Sequence, residues 1–92
     1  MEIYIVTTVH AEPEDKSILS QVAVFTDEDE ARRHFAAQRL CYIEMLRQED
    51  DDVDEETRDV SVRDFDDMSV GVCNDDGEMY QVRLVRKSLM QP

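Results

Sequence analysis

Carboxylates are the first chemistry this sequence offers. The stretch RQEDDDVDEETRD carries eight of them within residues 49–59, namely Glu49, Asp50, Asp51, Asp52, Asp54, Glu55, Glu56 and Asp59, opposed there only by Arg58. Such density suits two tasks: holding a divalent cation, or presenting a negative surface to a basic partner. Spacing tests the first. Counted from Asp50, the run DDDVDEETRDVS has acids at the first, third and fifth positions of an EF-hand loop. It lacks the glycine that makes the sharp turn at the sixth, and it places Ser61 where a bidentate glutamate is required. A second acidic group, DFDD, with Asp64, Asp66 and Asp67, could contribute to a two-metal nuclease site, but no suitably placed lysine or histidine accompanies it. The sequence therefore predicts no dedicated metal site.

Nucleophilic chemistry fares no better. His10 falls at the end of a strand pattern, and His34 lies nearly two helical turns before Cys41, beyond hydrogen-bond reach. Gly71 and Gly77 are isolated, so no loop can cradle a phosphate. Cys41 and Cys73 show neither CxxC nor Cys/His spacing, which predicts two buried thiols in place of zinc or a redox pair. No catalytic residue and no cofactor is expected.

The elements that position these groups follow from periodicity. Residues 2–9 alternate, with Ile3, Ile5, Thr7 and Val9 on one side and Tyr4, Val6 and Thr8 on the other, which predicts a strand covered on both faces. A polar connection, HAEPEDKS, leads into ILSQVAVF and so to a hairpin with a long loop. At Thr26 the period changes: TDEDEARRHFAAQRLCYIEMLRQ reads as a helix, with Thr26 and Asp29 as a capping pair and acids at its positive end. Ala31, Phe35, Tyr42, Met45 and Leu46, with Ile43 at the border, form the stripe expected to pack on the sheet. Ala37, Leu40 and Cys41 fall outside it and are a candidate homodimer face.

After Arg47 the only apolar residue of the acidic run is Val53, so residues 48–59 read as an acidic loop. In DVSVRDFDD the parity of Val60, Val62 and Phe65 breaks, which predicts a bulge or a short strand and turn. Met68, Val70 and Val72, the Asp76-Gly77 turn, and Tyr80, Val82 and Leu84 make a second hairpin. The predicted fold is α+β: one domain over 1–92, with one helix packed on a mostly antiparallel sheet of four to five strands, order ββα(β)ββ.

Composition limits the partners. Of 92 residues, 23 are Asp or Glu and 10 are Lys or Arg, a formal net charge of −13, while 41% are apolar, enough for a folded core. That charge disfavours nucleic acid as a direct ligand, since DNA and RNA binding depends on neutralised phosphates. Arg32, Arg39 and Arg47 on one helix flank, and Arg83, Arg86 and Lys87 near the C-terminus, are expected to pair with surrounding acids. With no basic leader and no stretch approaching a membrane span, a cytoplasmic protein is expected.

A small, strongly acidic chain in which VFTDEDEARRHF reads as strand, capped turn and helix resembles the short proteins of phages and mobile elements, including DNA-mimicking anti-restriction and anti-CRISPR proteins. The resemblance implies stoichiometric inhibition, by occupying the nucleic-acid site of a host defence enzyme in the host cytoplasm. The acids that could do so are Glu49, Asp50, Asp51, Asp52, Asp54, Glu55 and Glu56, with Asp64, Asp66 and Asp67 as a second group. The expected partner is thus a basic nucleic-acid-binding protein. Competing readings are a small regulatory module, antitoxin-like or dimeric, in which acidity is incidental, a metal-dependent enzyme, and adaptation to high salt.

Overall fold

The computed structural model describes residues 1–14, 16–47, 59–74 and 76–89. Among them are strands β1 (Glu2–Glu12) and β2 (Ser17–Phe25), helix α1 (Glu28–Arg47), and strands β3 (Val60–Phe65), β4 (Met68–Cys73) and β5 (Met79–Ser88). The expected α+β fold is present. All strand pairs are antiparallel and the sheet order is β2-β1-β5-β4-β3, so β5 returns through the middle and joins the two hairpins. No described helix is long and apolar enough to cross a membrane.

Register decides which side chains meet the helix. Tyr4, Val6 and Thr8 of β1 share a face with Tyr80, Val82 and Leu84 of β5, and α1 buries Ala31, Tyr42, Ile43 and Leu46 against them. Full burial of a side chain such as Leu46 is worth roughly 2 kcal/mol. Ile43 is thus a core residue, while Met45 points outward and is exposed. Phe35 packs at the edge of this core.

Several local expectations need correction. The helix cap is Asp27, whose carboxylate accepts the Asp29 backbone N–H at 3.2 Å, because α1 begins at Glu28 and Thr26 lies one residue too early. The first hairpin has a tight turn in place of a long loop: pairing persists to Glu12 and Ser17, the Lys16 N–H donates to the Pro13 carbonyl at 3.2 Å, and Lys16 adopts φ 53°. Of the two alternatives for DVSVRDFDD, the short strand and turn is the one present and not the bulge: β3 pairs regularly with β4 through the turn at Asp66 and Asp67, and Val62 faces the helix while Phe65 faces the opposite side. Cys73 is buried but Cys41 is exposed. Nor is β1 covered twice among the described residues: α1 covers one face of the sheet, and Ile3, Ile5 and Val9 on the other face are only half-buried by their described neighbours.

Gly71 is fixed by a close approach. It pairs with Tyr80 across the β4–β5 ladder, and the Tyr80 ring occupies the space a Cβ would need. Gly71→Ala must therefore displace a fully buried ring and is expected to destabilise the protein by about 1–3 kcal/mol. A urea unfolding curve whose midpoint is unchanged by this substitution contradicts the packing described.

Candidate functional site

Asp64 faces the helix side of the edge strand β3, opposite Ser69 of β4. There it meets Arg39, one turn before the core residue Ile43 on α1. The guanidinium donates from Nε to Oδ1 at 2.8 Å and from Nη2 to Oδ2 at 2.6 Å, a bidentate clamp. The Ser69 hydroxyl donates to the same Oδ1 at 2.7 Å and lies 2.8 Å from the buried Tyr80 hydroxyl. A chain of polar contacts thus runs from the surface into the core and satisfies Tyr80 where no water reaches it. The Arg39 hydrogen bonds, then that of Ser69, lower the Asp64 carboxyl from 3.8 to about 2, while burial raises the Tyr80 phenol. Asp64 therefore holds the fold together as well as carrying charge.

The remaining members of that acidic group lie in the β3–β4 turn, and the fold brings a second set of acids to them. α1 opens with Glu28, Asp29 and Glu30 after Asp27, an arrangement favourable to the positive helix end. Arg32 links the two sets, with Nε 3.4 Å from Glu28 and Nη2 3.4 Å from Asp67. Its Nη1 also donates to the Asp66 carbonyl at 3.5 Å. Tyr4, Leu84 and Arg86 complete a shallow cleft of about 230 Å³ between these residues, and Arg86 stands 4.0 Å from Glu2. One end of the molecule therefore collects acids from β1, the start of α1 and the β3–β4 turn around two arginines.

At the opposite end, His10 of β1 lies against Glu78, with Nε2 2.8 Å from Oε2, and 3.7 Å from Glu12 Oε1. Its ring packs on Tyr42, with centroids 5.5 Å apart. This contact ties the first hairpin to the β4–β5 turn. The three donor groups come within 4.8 Å of one another, so they are the described residues that could share a divalent cation. Sequence spacing did not bring them together, because Glu78 is sixty-eight positions from His10 and reaches it only through the β1–β5 register.

The placement of the other expected site residues is mixed. Glu49, Asp50, Asp51, Asp52, Asp54, Glu55 and Glu56 lie outside the described residues. Asp66 and Asp67 are exposed, and Asp64 and Asp67 already have arginine partners. Ala37, Leu40 and Cys41 are exposed on α1, with Leu40 at 54%. The helix-start acids were legible only as capping groups; the (i, i+4) spacing of Glu28 and Arg32 was the available hint that this turn carries an ion-pair network.

Fold and surface together define an acidic α+β protein with one helical layer on an antiparallel sheet. Compared with known proteins, the chain matches no family model, no curated protein and no solved structure.

The Asp64 clamp gives a signed pH dependence. Because folding lowers this carboxyl, its contribution is fully present above its ordinary value of 3.8 and is lost as pH falls through about 2. The side chain is half exposed, so solvent screening limits the effect to about 1 kcal/mol. Asp64→Asn is expected to be less stable than the wild type by about that amount at neutral pH, with the gap closing between pH 4 and 2. Parallel urea titrations across that range check it; a gap that does not vary with pH contradicts the clamp.

Proposed function

We propose that the protein is a noncatalytic binding protein whose acidic surface occupies a basic groove on a nucleic-acid-handling partner. What carries this reading is the convergence of separate acidic segments on one end of the molecule. Asp67 lies thirty-five positions from Arg32 in the chain, yet the fold sets the β3–β4 turn beside the first turn of α1. Acids that served only solubility would need no such gathering. The field of a lysine- and arginine-lined groove that attracts a phosphate backbone also attracts this surface, so an acidic protein can compete with DNA or RNA there. The acids of residues 49–56 follow the C-terminal end of α1 in sequence and extend the negative charge available to the same partner.

The discriminating experiment is capture from a lysate of the native host, using three forms of the protein. One is wild type; one carries Asp29→Asn, Glu30→Gln and Asp66→Asn; the third is neutralised at Asp50, Asp51, Asp52, Asp54, Glu55 and Glu56. The expected result is a basic nucleic-acid-binding protein, released by salt and by competing duplex DNA, with capture weakened in one or both variants. For the triple variant, the fall of affinity with rising salt should be shallower than for the wild type, because fewer charges are left to screen. Equal capture by all three forms at every salt concentration would refute the acidic-surface reading.

A further inference from the structure

The sheet face turned away from α1 has a composition unlike the rest of the protein. Strand register sends Ile3, Ile5 and Val9 of β1 to this side, together with Ile18, Val22 and Val24 of β2. Val70 and Val72 of β4 and Val85 of β5 also face this side, with Thr7 of β1 and Gln81 and Arg83 of β5 among them. Val22 is 66% exposed and Ile18 77%. An antiparallel sheet face left in water ordinarily alternates to polar residues, and an exposed face this rich in β-branched apolar residues marks an interaction surface.

Charge sharpens the point. One residue in four of this chain is acidic, yet no described strand residue on the outer face is Asp or Glu. The acids within strands, such as Glu2, Glu12 and Asp64, all take helix-side positions. The charged residues of the outer face are Arg63, Arg83 and Lys87. Arg83 borders the acidic β3–β4 turn, in a cleft it lines with Asp66 and Asp67.

We propose that this acid-free face is the interface of a homodimer in which two copies pack sheet against sheet. The residues of this sequence outside the described set, Asp15, 48–58, Asp75 and 90–92, offer only Val53 and Met90 as apolar cover. Five strands about 4.8 Å apart, overlapping over about 25 Å, give a footprint of roughly 600 Å² per copy and 1,200 Å² in all, the size at which stable interfaces begin. A two-fold interface sets one patch against itself. For a chain of net charge −13, that demands a face without carboxylates, since any acid near the axis would meet its own copy. The outer sheet face meets this condition. The exposed helix flank of Ala37, Leu40 and Cys41 is far smaller and adjoins Glu44. In such a dimer both helical layers, with their acids, point outward, so each particle presents two copies of the acidic surface.

The test is the mass of the purified full chain by sedimentation equilibrium, from submicromolar to submillimolar protein, at low and raised salt. The expected result is a particle of twice 10.7 kDa whose association tightens as salt screens the net repulsion. Binding to a basic partner through the acidic surface weakens under the same change, so the two interactions are distinguishable. Val22→Glu and Val24→Glu, on the outer face but outside the buried core, should keep the circular dichroism of the wild type and weaken dimerisation at least about tenfold each, because a carboxylate would be desolvated in the contact. Leu40→Glu should leave the dimer intact. A wild type that is monomeric throughout, a dimer indifferent to both sheet substitutions, or one broken by Leu40→Glu instead would overturn the proposal.

Discussion

Coverage is the constraint on which the rest of the structure depends. α1, the one helix among the described residues, has twenty residues and so is about 30 Å long and about 10 Å across, while five paired strands are about 24 Å wide. It touches all five strands, yet it can lie on one face only. Everything buried follows from that choice. The core forms where α1 meets the two central strands, with Leu46, Val6 and Val82 sealed from water. Toward the β3 edge the cover thins, and polar contacts take over: Arg39, Asp64 and Ser69 carry hydrogen bonding inward to Tyr80. An apolar residue at position 64 would leave Arg39 without its partner and Ser69 without its acceptor.

The same constraint sorts the charge. The described acids lie on and beside α1, at helix-side strand positions and in the turns, some of them clamped by Arg32 and Arg39. The opposite face keeps apolar side chains and no carboxylate among its described strand residues. A molecule with one acidic side and one apolar side has two distinct surfaces available for contact, and salt acts on them in opposite directions. Among the described residues, acidity is therefore a property of the helix side and the turns, and not of the outer sheet face.

Much of this was legible in the sequence. Period-two alternation found the two hairpins, and the change of period at Thr26 found the helix, because tertiary packing and local pattern agree there. Sidedness was not legible. Ile3 and Ile5 alternate with Tyr4 and Val6, all apolar, and such a strand reads as covered twice whether the second cover is a layer of its own chain or another molecule. Phe65 looked like a break in parity for a related reason: Val62 serves the core and Phe65 the outer face, and both faces are apolar. The Arg39–Asp64 clamp and the His10–Glu78 contact join residues twenty-five and sixty-eight positions apart, so only register could bring them together. The acidic run that dominates the sequence lies in residues 48–58, outside the described structure. The acids that the fold demonstrably gathers are instead those of the helix start and the β3–β4 turn.

The one-sided core is tested most directly by methyl NMR with a neutral paramagnetic cosolute, extrapolated to zero protein concentration. A single covering layer requires strong relaxation of the Val22, Val24, Val70 and Val72 methyl signals, with those of Val6, Val82 and Leu46 protected. Equal protection of both sets in the dilute limit would mean that the chain covers both faces of its own sheet, and would contradict the architecture on which the acidic and apolar surfaces rest.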